Sequence, residues 1–258
     1  MNRTAIDLFA GAGGASLGFK MAGFKILVAV ELDKWAAQTY KANHKGTIMV
    51  EEDITKLTSN RLMKIAKIRK RQLDMLFGGP PCQGFTTSNV KRSLDDPRSK
   101  LMYEFIRIVK EIQPKMFMIE NVPGMFAYKD FFILLMELLE KCKYTVRCLM
   151  MDAVSYGVPQ YRKRIFIEGV RKDLDFLPVF PPPENFDPEQ LKRKDKIFAP
   201  ADVAIKCFAL NGFSKEEVKD LYWNTKLHIQ MNKKTAPYVF NMAIGELIGE
   251  SIKQHCKT

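Results

Sequence analysis

Cys82 stands in the segment Gly78-Gly79-Pro80-Pro81-Cys82-Gln83-Gly84-Phe85. Two glycines and two prolines fix an unusual backbone path just before the cysteine, and a buried structural cysteine has no need of one. A nucleophilic thiolate does, because its sulfur must project into a cleft with its approach angle set in advance. The segment therefore favours a nucleophile over a structural thiol. Downstream, Thr86 to Lys100 is small, polar and basic, with Lys91, Arg92 and Arg98. That composition suits either a lid closing on a polyanion or a solvated surface loop.

A second constellation lies near the amino terminus. The turn Phe9-Ala10-Gly11-Ala12-Gly13-Gly14 lets backbone approach a ligand closely at the start of a helix. A dinucleotide-binding Gly-x-Gly-x-x-Gly would need glycine at 16, where Ser16 stands. A nucleotide or nucleoside cofactor is expected, with its identity left open. Glu31, closing a later apolar run, is placed to accept hydrogen bonds from ribose hydroxyls. Asp53, beside Ile54, is of a type to accept from an adenine amino group, and equally of a type to be an ordinary surface aspartate.

These residues need elements to hold them. Thr4–Phe9 is a short apolar run that ends in the glycines, and an amphipathic segment follows from Ala15 to Met21. Ile26–Val30 is a second buried-strand pattern, followed by a helical stretch from Lys34 to Asn43. Similar runs occupy Leu73–Phe77, Met116–Ile119, Tyr144–Met150 and Arg164–Glu168, with helical patterns at Leu101–Ile112 and Phe131–Lys141. Alternating strands and helices predict an α/β fold built on a doubly wound, mostly parallel sheet. Ligands in such sheets bind beyond the carboxyl ends of the strands. The glycine turn, Glu31, Pro80-Pro81-Cys82 and Glu120-Asn121 all fall at those ends. Lys56–Arg71 holds seven basic residues and no acidic one. With Leu57, Leu62 and Ile65 as an apolar stripe, it predicts a surface helix with a basic outer face.

The 258 residues carry 41 Lys and Arg against 29 Asp and Glu, a formal charge of +12. An anionic partner fits that surplus, and nucleic acid is the commonest one. A hydrophobic content of 47% excludes a disordered chain. No apolar run is long enough to span a membrane, and Asp7 interrupts the start where an export signal needs unbroken apolar residues. A soluble, cytoplasmic protein is expected. The five cysteines, 82, 142, 148, 207 and 256, show neither metal-ligand spacing nor a disulfide framework, so no metal site is expected.

Asp7-Leu8-Phe9-Ala10-Gly11-x-Gly13-Gly14, then Pro80-Pro81-Cys82-Gln83-Gly84-Phe85, then Glu120-Asn121-Val122, then Gln160-x-Arg162-x-Arg164 together resemble the DNA (cytosine-5) methyltransferase family. All four signatures come in the family's order and span roughly residues 4 to 168. The resemblance implies a Rossmann-like methyltransferase fold, S-adenosylmethionine as cofactor and double-stranded DNA as partner. It implies Cys82 as the nucleophile that adds to C6 of cytosine, Glu120 at N3 and the exocyclic amine, and Arg164 at O2 with Arg162 as its companion. It places Phe9, Gly11, Gly13, Gly14, Glu31, Asp53, Ile54, Pro80 and Pro81 around the cofactor. Gln83, Ser88, Asn121 and Gln160 go to the substrate side, and the target base is flipped out of the duplex. Enzymes of this type serve DNA methylation in restriction-modification. The RNA-methylating branch typically has another residue after Pro-Pro-Cys-Gln, so Gly84 argues for DNA. A regulatory paralogue without activity would not need Cys82, Glu120, Arg162 and Arg164, and a nicotinamide oxidoreductase has no role for the last two signatures.

The chain departs from the family after Glu168. Only Ile165 to Ile229 precede a weak version of the family's closing segment, Gln230-Met231-Asn232-Lys233-Lys234-Thr235-Ala236-Pro237. The expected organisation is a catalytic domain over 1–183, a reduced recognition-like segment over 184–229, and a C-terminal helix over 230–258 that packs back on the catalytic domain. Either 184–229 recognises the target, with Lys192-Arg193-Lys194-Asp195-Lys196 touching phosphates, or a separate subunit does so.

Overall fold

The computed structural model describes residues 3–81, 99–156 and 162–181. Cys82, Gln83, Ser88, Gln160 and the expected segments over 184–229 and 230–258 lie outside the described residues. The strands are β1 (Arg3–Leu8), β2 (Phe24–Glu31), β3 (Ile48–Glu51), β4 (Met75–Gly78), β5 (Met116–Asn121), β6 (Tyr144–Asp152) and β7 (Lys163–Arg171). The helices are α1 (Gly14–Met21), α2 (Lys34–Asn43), α3 (Ser59–Ala66), α4 (Ser99–Ile112) and α5 (Lys129–Lys141).

One seven-stranded sheet runs in the order β3-β2-β1-β4-β5-β7-β6. β7 alone is reversed, pairing antiparallel with β5 on one side and β6 on the other. The sheet is therefore mostly parallel, as the alternating runs predict. β3 is not among those runs: it lies at the sheet edge, and only Val50 of its four residues is buried.

Core side chains cover both faces of the sheet. On one face Ile6, Leu8, Leu76, Phe117 and Ile119 meet Leu62 of α3, Phe105 and Val109 of α4, and Phe132 and Leu135 of α5. On the other, Ala5, Phe77, Met118, Phe166 and Val170 meet Phe19 and Ala22 of α1. Leu174, Phe176 and Phe180 pack against this second face. They belong to a strap, residues 172–181, that climbs back alongside β6. It turns at Arg171 (Leu174 N to Arg171 O, 2.9 Å), passes Arg147 (Nη1 to Pro178 O, 3.1 Å), and reaches Tyr156 just beyond the carboxyl end of β6 (Oη to Pro181 O, 3.3 Å).

The basic stretch Lys56–Arg71 is not one helix. Thr58 caps α3 by accepting from the Arg61 amide at 3.2 Å, and Lys67 stops it in the left-handed conformation, φ 54°. The outer face is not uniformly basic either, because Arg61 pairs with Glu52 and Arg71 with Asp173. Residues 67–73 lie at the amino edge of the sheet, where Arg71 N bonds Ile112 O at 2.8 Å and Lys115 N bonds Leu73 O at 2.8 Å. That edge is opposite the carboxyl ends where the candidate site residues gather.

Candidate active site

The turn after β1 is held from several sides. Ala10 N bonds Val30 O at 3.0 Å, Gly13 N bonds Ala10 O at 2.9 Å, and Gly11 N donates to Glu31 Oε2 at 2.7 Å. The other Glu31 oxygen accepts from Asp33 N at 2.8 Å, so this carboxylate is oriented by two backbone amides. Phe9 sits at φ 60°, a strained backbone for an aromatic residue, and its ring is half-buried. Among the described residues, nothing lies within 4 Å of where a Cβ on Gly11, at φ 55°, would project. The described residues thus leave space above the turn, bordered by the Glu31 acceptor.

Asp53 follows β3 at the same rim. Its Oδ1 takes the Thr55 amide at 2.9 Å and the Thr55 hydroxyl at 2.8 Å, which together hold the carboxyl below its usual range. Ile54, expected at the cofactor, has its side chain in the core beside Leu57. Two apolar side chains that the sequence reading passed over, Leu32 at 67% exposed and Trp35 at 74%, stand directly after Glu31. Their signal was available: an apolar residue just past a strand end, among charged neighbours, has no core to enter. The open space over Gly11, the acceptors Glu31 and Asp53, and the exposed faces of Phe9 and Leu32 fit a nucleoside-bearing cofactor.

Beyond β4 the backbone continues through Gly79, Pro80 and Pro81, with Pro80 buried and Pro81 exposed. A Cβ on Gly79 would stand 3.0 Å from Glu120 Oε2, so glycine leaves room there for the carboxyl group. Asn121 is buried. Its amide donates to Pro80 O at 3.1 Å and its Oδ1 accepts from Val122 N at 2.8 Å. These contacts, to the protein's own backbone, tie the end of β5 to the segment that precedes Cys82.

Glu120 and Arg164 come together because β5 and β7 are antiparallel neighbours, with Glu120 opposite Phe166. Arg164 Nε lies 2.8 Å from Glu120 Oε1, and Arg164 Nη1 donates to Lys163 O at 2.7 Å. Burial raises the Glu120 pKa, opposed by the charges of Arg164 and then Arg162. The Arg162 amide donates to Asp152 Oδ1 at 3.0 Å, while its buried Nε has no hydrogen-bond partner among the described residues. Burial and the Arg164 charge lower the Arg162 pKa, and Glu120 opposes them. A carboxyl group biased toward its protonated form, with two guanidinium groups at hand, can donate a proton on one side and stabilise a developing anion on the other. Among the described residues, no group of His, Cys, Asp or Glu could hold a metal ion, and no helix is long and apolar enough to cross a membrane.

Comparison with known proteins places the chain as a whole. The family model described as C-5 cytosine-specific DNA methylase matches residues 3–251. The chain is 38% identical over 218 residues to the Type II methyltransferase M.NgoPII of Neisseria gonorrhoeae, covering 83% of this chain and 62% of that protein. It is 37% identical over 205 residues to the Type II methyltransferase M.AquIA of Picosynechococcus, covering 76% and 82%. A crystal structure described as a DNA modification methyltransferase encoded within an E. coli prophage superposes with a TM-score of 0.59 at 36% identity, over 68% of this chain and 49% of the other. The chain thus spans about three fifths of the first relative, four fifths of the second and half of the third. With its glycine turn, its Pro-Pro-Cys segment and its paired Glu120 and Arg164 in one fold, the chain belongs to the C-5 cytosine-specific DNA methylase family.

Proposed function

We propose that this chain methylates carbon 5 of a flipped cytosine in double-stranded DNA, with S-adenosylmethionine, the family's cofactor, as methyl donor. The observation that carries the reading is the Glu120–Arg164 pair, 2.8 Å apart, beside the Gly79-Pro80-Pro81 segment. When bound, S-adenosylmethionine supplies an electrophilic methyl group on its sulfonium sulfur. Glu31 and Asp53 would take its ribose and adenine, and Phe9, Gly11, Gly13 and Gly14 would border its methionine part. Pro80 and Pro81 would separate it from the base.

C5 of cytosine is a poor nucleophile. The Cys82 thiolate adds to C6, forming a carbon–sulfur bond and moving electron density through the ring to N3, O2 and C5. Protonated Glu120 donates to N3, and Arg164 stabilises O2, each acting where charge develops. C5, now part of an enamine, is the position that gains the methyl group. Loss of the C5 proton to water, with expulsion of the Cys82 sulfur from C6 and return of the N3 proton to Glu120, restores the aromatic ring. Asn121, through Pro80, keeps the approach angle of Cys82. Gln83, Ser88 and Gln160 act on the DNA side, where the base must leave the stack.

Residues 1–183 form the catalytic domain in this reading. The segment 230–258 packs back on the catalytic domain, and target choice falls either to the compact segment 184–229 or to a separate subunit. The cytoplasm is the compartment that fits. Incubation of the purified chain with radiolabelled S-adenosylmethionine and either duplex DNA or tRNA tests the proposal. Label on C5 of DNA cytosine is expected; label on tRNA alone would overturn it.

A further inference from the structure

Beneath the glycine turn lies a group of polar side chains that the reaction scheme leaves without a role. Ser16, on α1, is fully buried. Its hydroxyl donates to Asp7 Oδ2 at 2.6 Å and lies 2.7 Å from the Tyr40 hydroxyl of α2. Asp7, on β1, and Tyr40 are buried too. One helical turn beyond Tyr40, the buried His44 ring stacks on the tyrosine with centroids 4.2 Å apart and planes 30° from parallel. Both rings press on Gly13. A Cβ there would come within 2.2 Å of His44 Nε2 and 2.7 Å of Tyr40 Cδ2, and Gly13 holds φ 91°. Glycine at 13 is therefore demanded twice, by its backbone angle and by two rings from another helix.

The group is close to neutral despite its polarity. Burial, with a smaller contribution from Glu31, pushes the Asp7 carboxyl up to about 8, so it holds a proton at neutral pH. Burial and the nearby Lys20 push His44 down to about 4, leaving its imidazole uncharged. Lys20 Nζ lies 3.2 Å from His44 Nδ1 and donates to it, which puts the ring proton on Nε2. Nε2 faces the Ala12 and Gly13 backbone, whose hydrogen bonds to the ring oppose part of the downward shift. Asp7 precedes the turn, Ser16 follows it, and Tyr40 with His44 underlies it. The turn is clamped at both ends and from below, and its upper side carries Gly11 and the Glu31 contact.

We propose that Asp7, Ser16, Tyr40 and His44 are positioning residues for the cofactor: they fix the 9–14 turn, so cofactor affinity depends on them while methyl transfer at saturating cofactor does not. The inference rests on the reading of that turn as the S-adenosylmethionine site. It differs from the direct contacts because none of the four side chains is exposed to a ligand.

The test measures binding of S-adenosylhomocysteine by calorimetry and steady-state methylation of duplex DNA, for the intact chain and for Tyr40→Phe, Ser16→Ala and His44→Ala. Failure of the unaltered chain to bind S-adenosylhomocysteine would sink the cofactor reading itself and is recognisable as such. Tyr40→Phe keeps the ring and the stack and removes only the hydroxyl link. Its Kd and the KM for S-adenosylmethionine should rise about threefold to tenfold, as expected for one buried hydrogen bond. Its kcat should stay within about twofold of the unaltered chain. Ser16→Ala should match it, and the double variant should be little worse than either, because both cut the same chain of bonds. Phe132→Leu, a core change on the opposite face, lowers stability and should leave the Kd unchanged. Unchanged Kd in Tyr40→Phe and Ser16→Ala, or a fall in kcat at constant KM, would overturn the proposal.

Discussion

Arg164 Nε donates to Glu120 Oε1 across 2.8 Å, joining the start of the reversed strand β7 to the end of β5. Burial raises the Glu120 pKa and the guanidinium lowers it. Arg164→Ala should therefore raise it further. Activity that needs protonated Glu120 is lost as pH rises through that pKa, so the alkaline limb of the pH profile of kcat/KM should move to higher pH. At the same time kcat should fall by about 10²–10³, the usual effect of removing one donor to a developing anion. An unmoved limb, or one moved to lower pH, would show that Glu120 is not the acid.

Asn121 ties the end of β5 to the Pro80 carbonyl, and so to the backbone leading into Cys82. Asn121→Ala removes that anchor without touching the glycine turn. A loss of roughly tenfold to a hundredfold in kcat is expected, as for a small misplacement of a reacting group. The Kd for S-adenosylhomocysteine should not change. Parallel calorimetry and single-turnover kinetics separate the two, and a weakened Kd would argue against the anchor role.

The nucleophile is tested by trapping. A duplex carrying 5-fluorocytosine at the target cannot lose a proton from C5, so the covalent adduct persists. The unaltered chain should form a species stable to denaturing electrophoresis, and Cys82→Ser should form none. Adduct from the serine variant would mean that another residue attacks C6.

Glu168 makes a prediction about stability. It is fully buried on β7, neither carboxylate oxygen has a partner, and burial pushes it up from 4.5 to about 8. The folded chain keeps this proton where the unfolded chain would release it. The stability tied to it is complete below about pH 4.5 and is lost as pH rises through about 8. Glu168→Met should stabilise the protein at both pH 4 and pH 8, by removing unpaired buried polar atoms, and by more at pH 8, where the charge-coupled cost is added. Denaturant titrations at the two pH values decide it. Some pH dependence should survive in the variant, because Asp7 is raised over the same range.

Much of the fold was legible because Ile26–Val30 of β2, Met75–Phe77 of β4 and Met116–Ile119 of β5 are largely buried and read as apolar runs, while in β1 only the buried Asp7 interrupts the pattern. The reversal of β7 was not legible. Side-chain pattern reports burial and carries no strand direction, so the meeting of Glu120 with Arg164 required the register itself. The basic stretch misled for a related reason: charge counts along the chain do not show that Lys67 ends a helix or that Glu52 and Asp173 take two of the arginines. Among site residues, Cys82, Glu120 and Arg164 carry signatures that survive in one dimension. Ser16 and Tyr40 do not, since 24 positions separate two hydroxyls that touch.

The strap gives the reversed strand a consequence for reach. By running backwards, β7 delivers Arg164 to the catalytic rim at its beginning and carries the chain to the far side by its end, roughly 25–30 Å away for nine residues. A chain continuing from there would start its route to DNA from the wrong side of the molecule. Ten residues of strap, paved on Leu174, Phe176 and Phe180, undo that displacement and bring the backbone to Tyr156 at the rim. Whatever follows Pro181 sets out from the side of the sheet where a flipped base would arrive, and even a short segment begins within range of it.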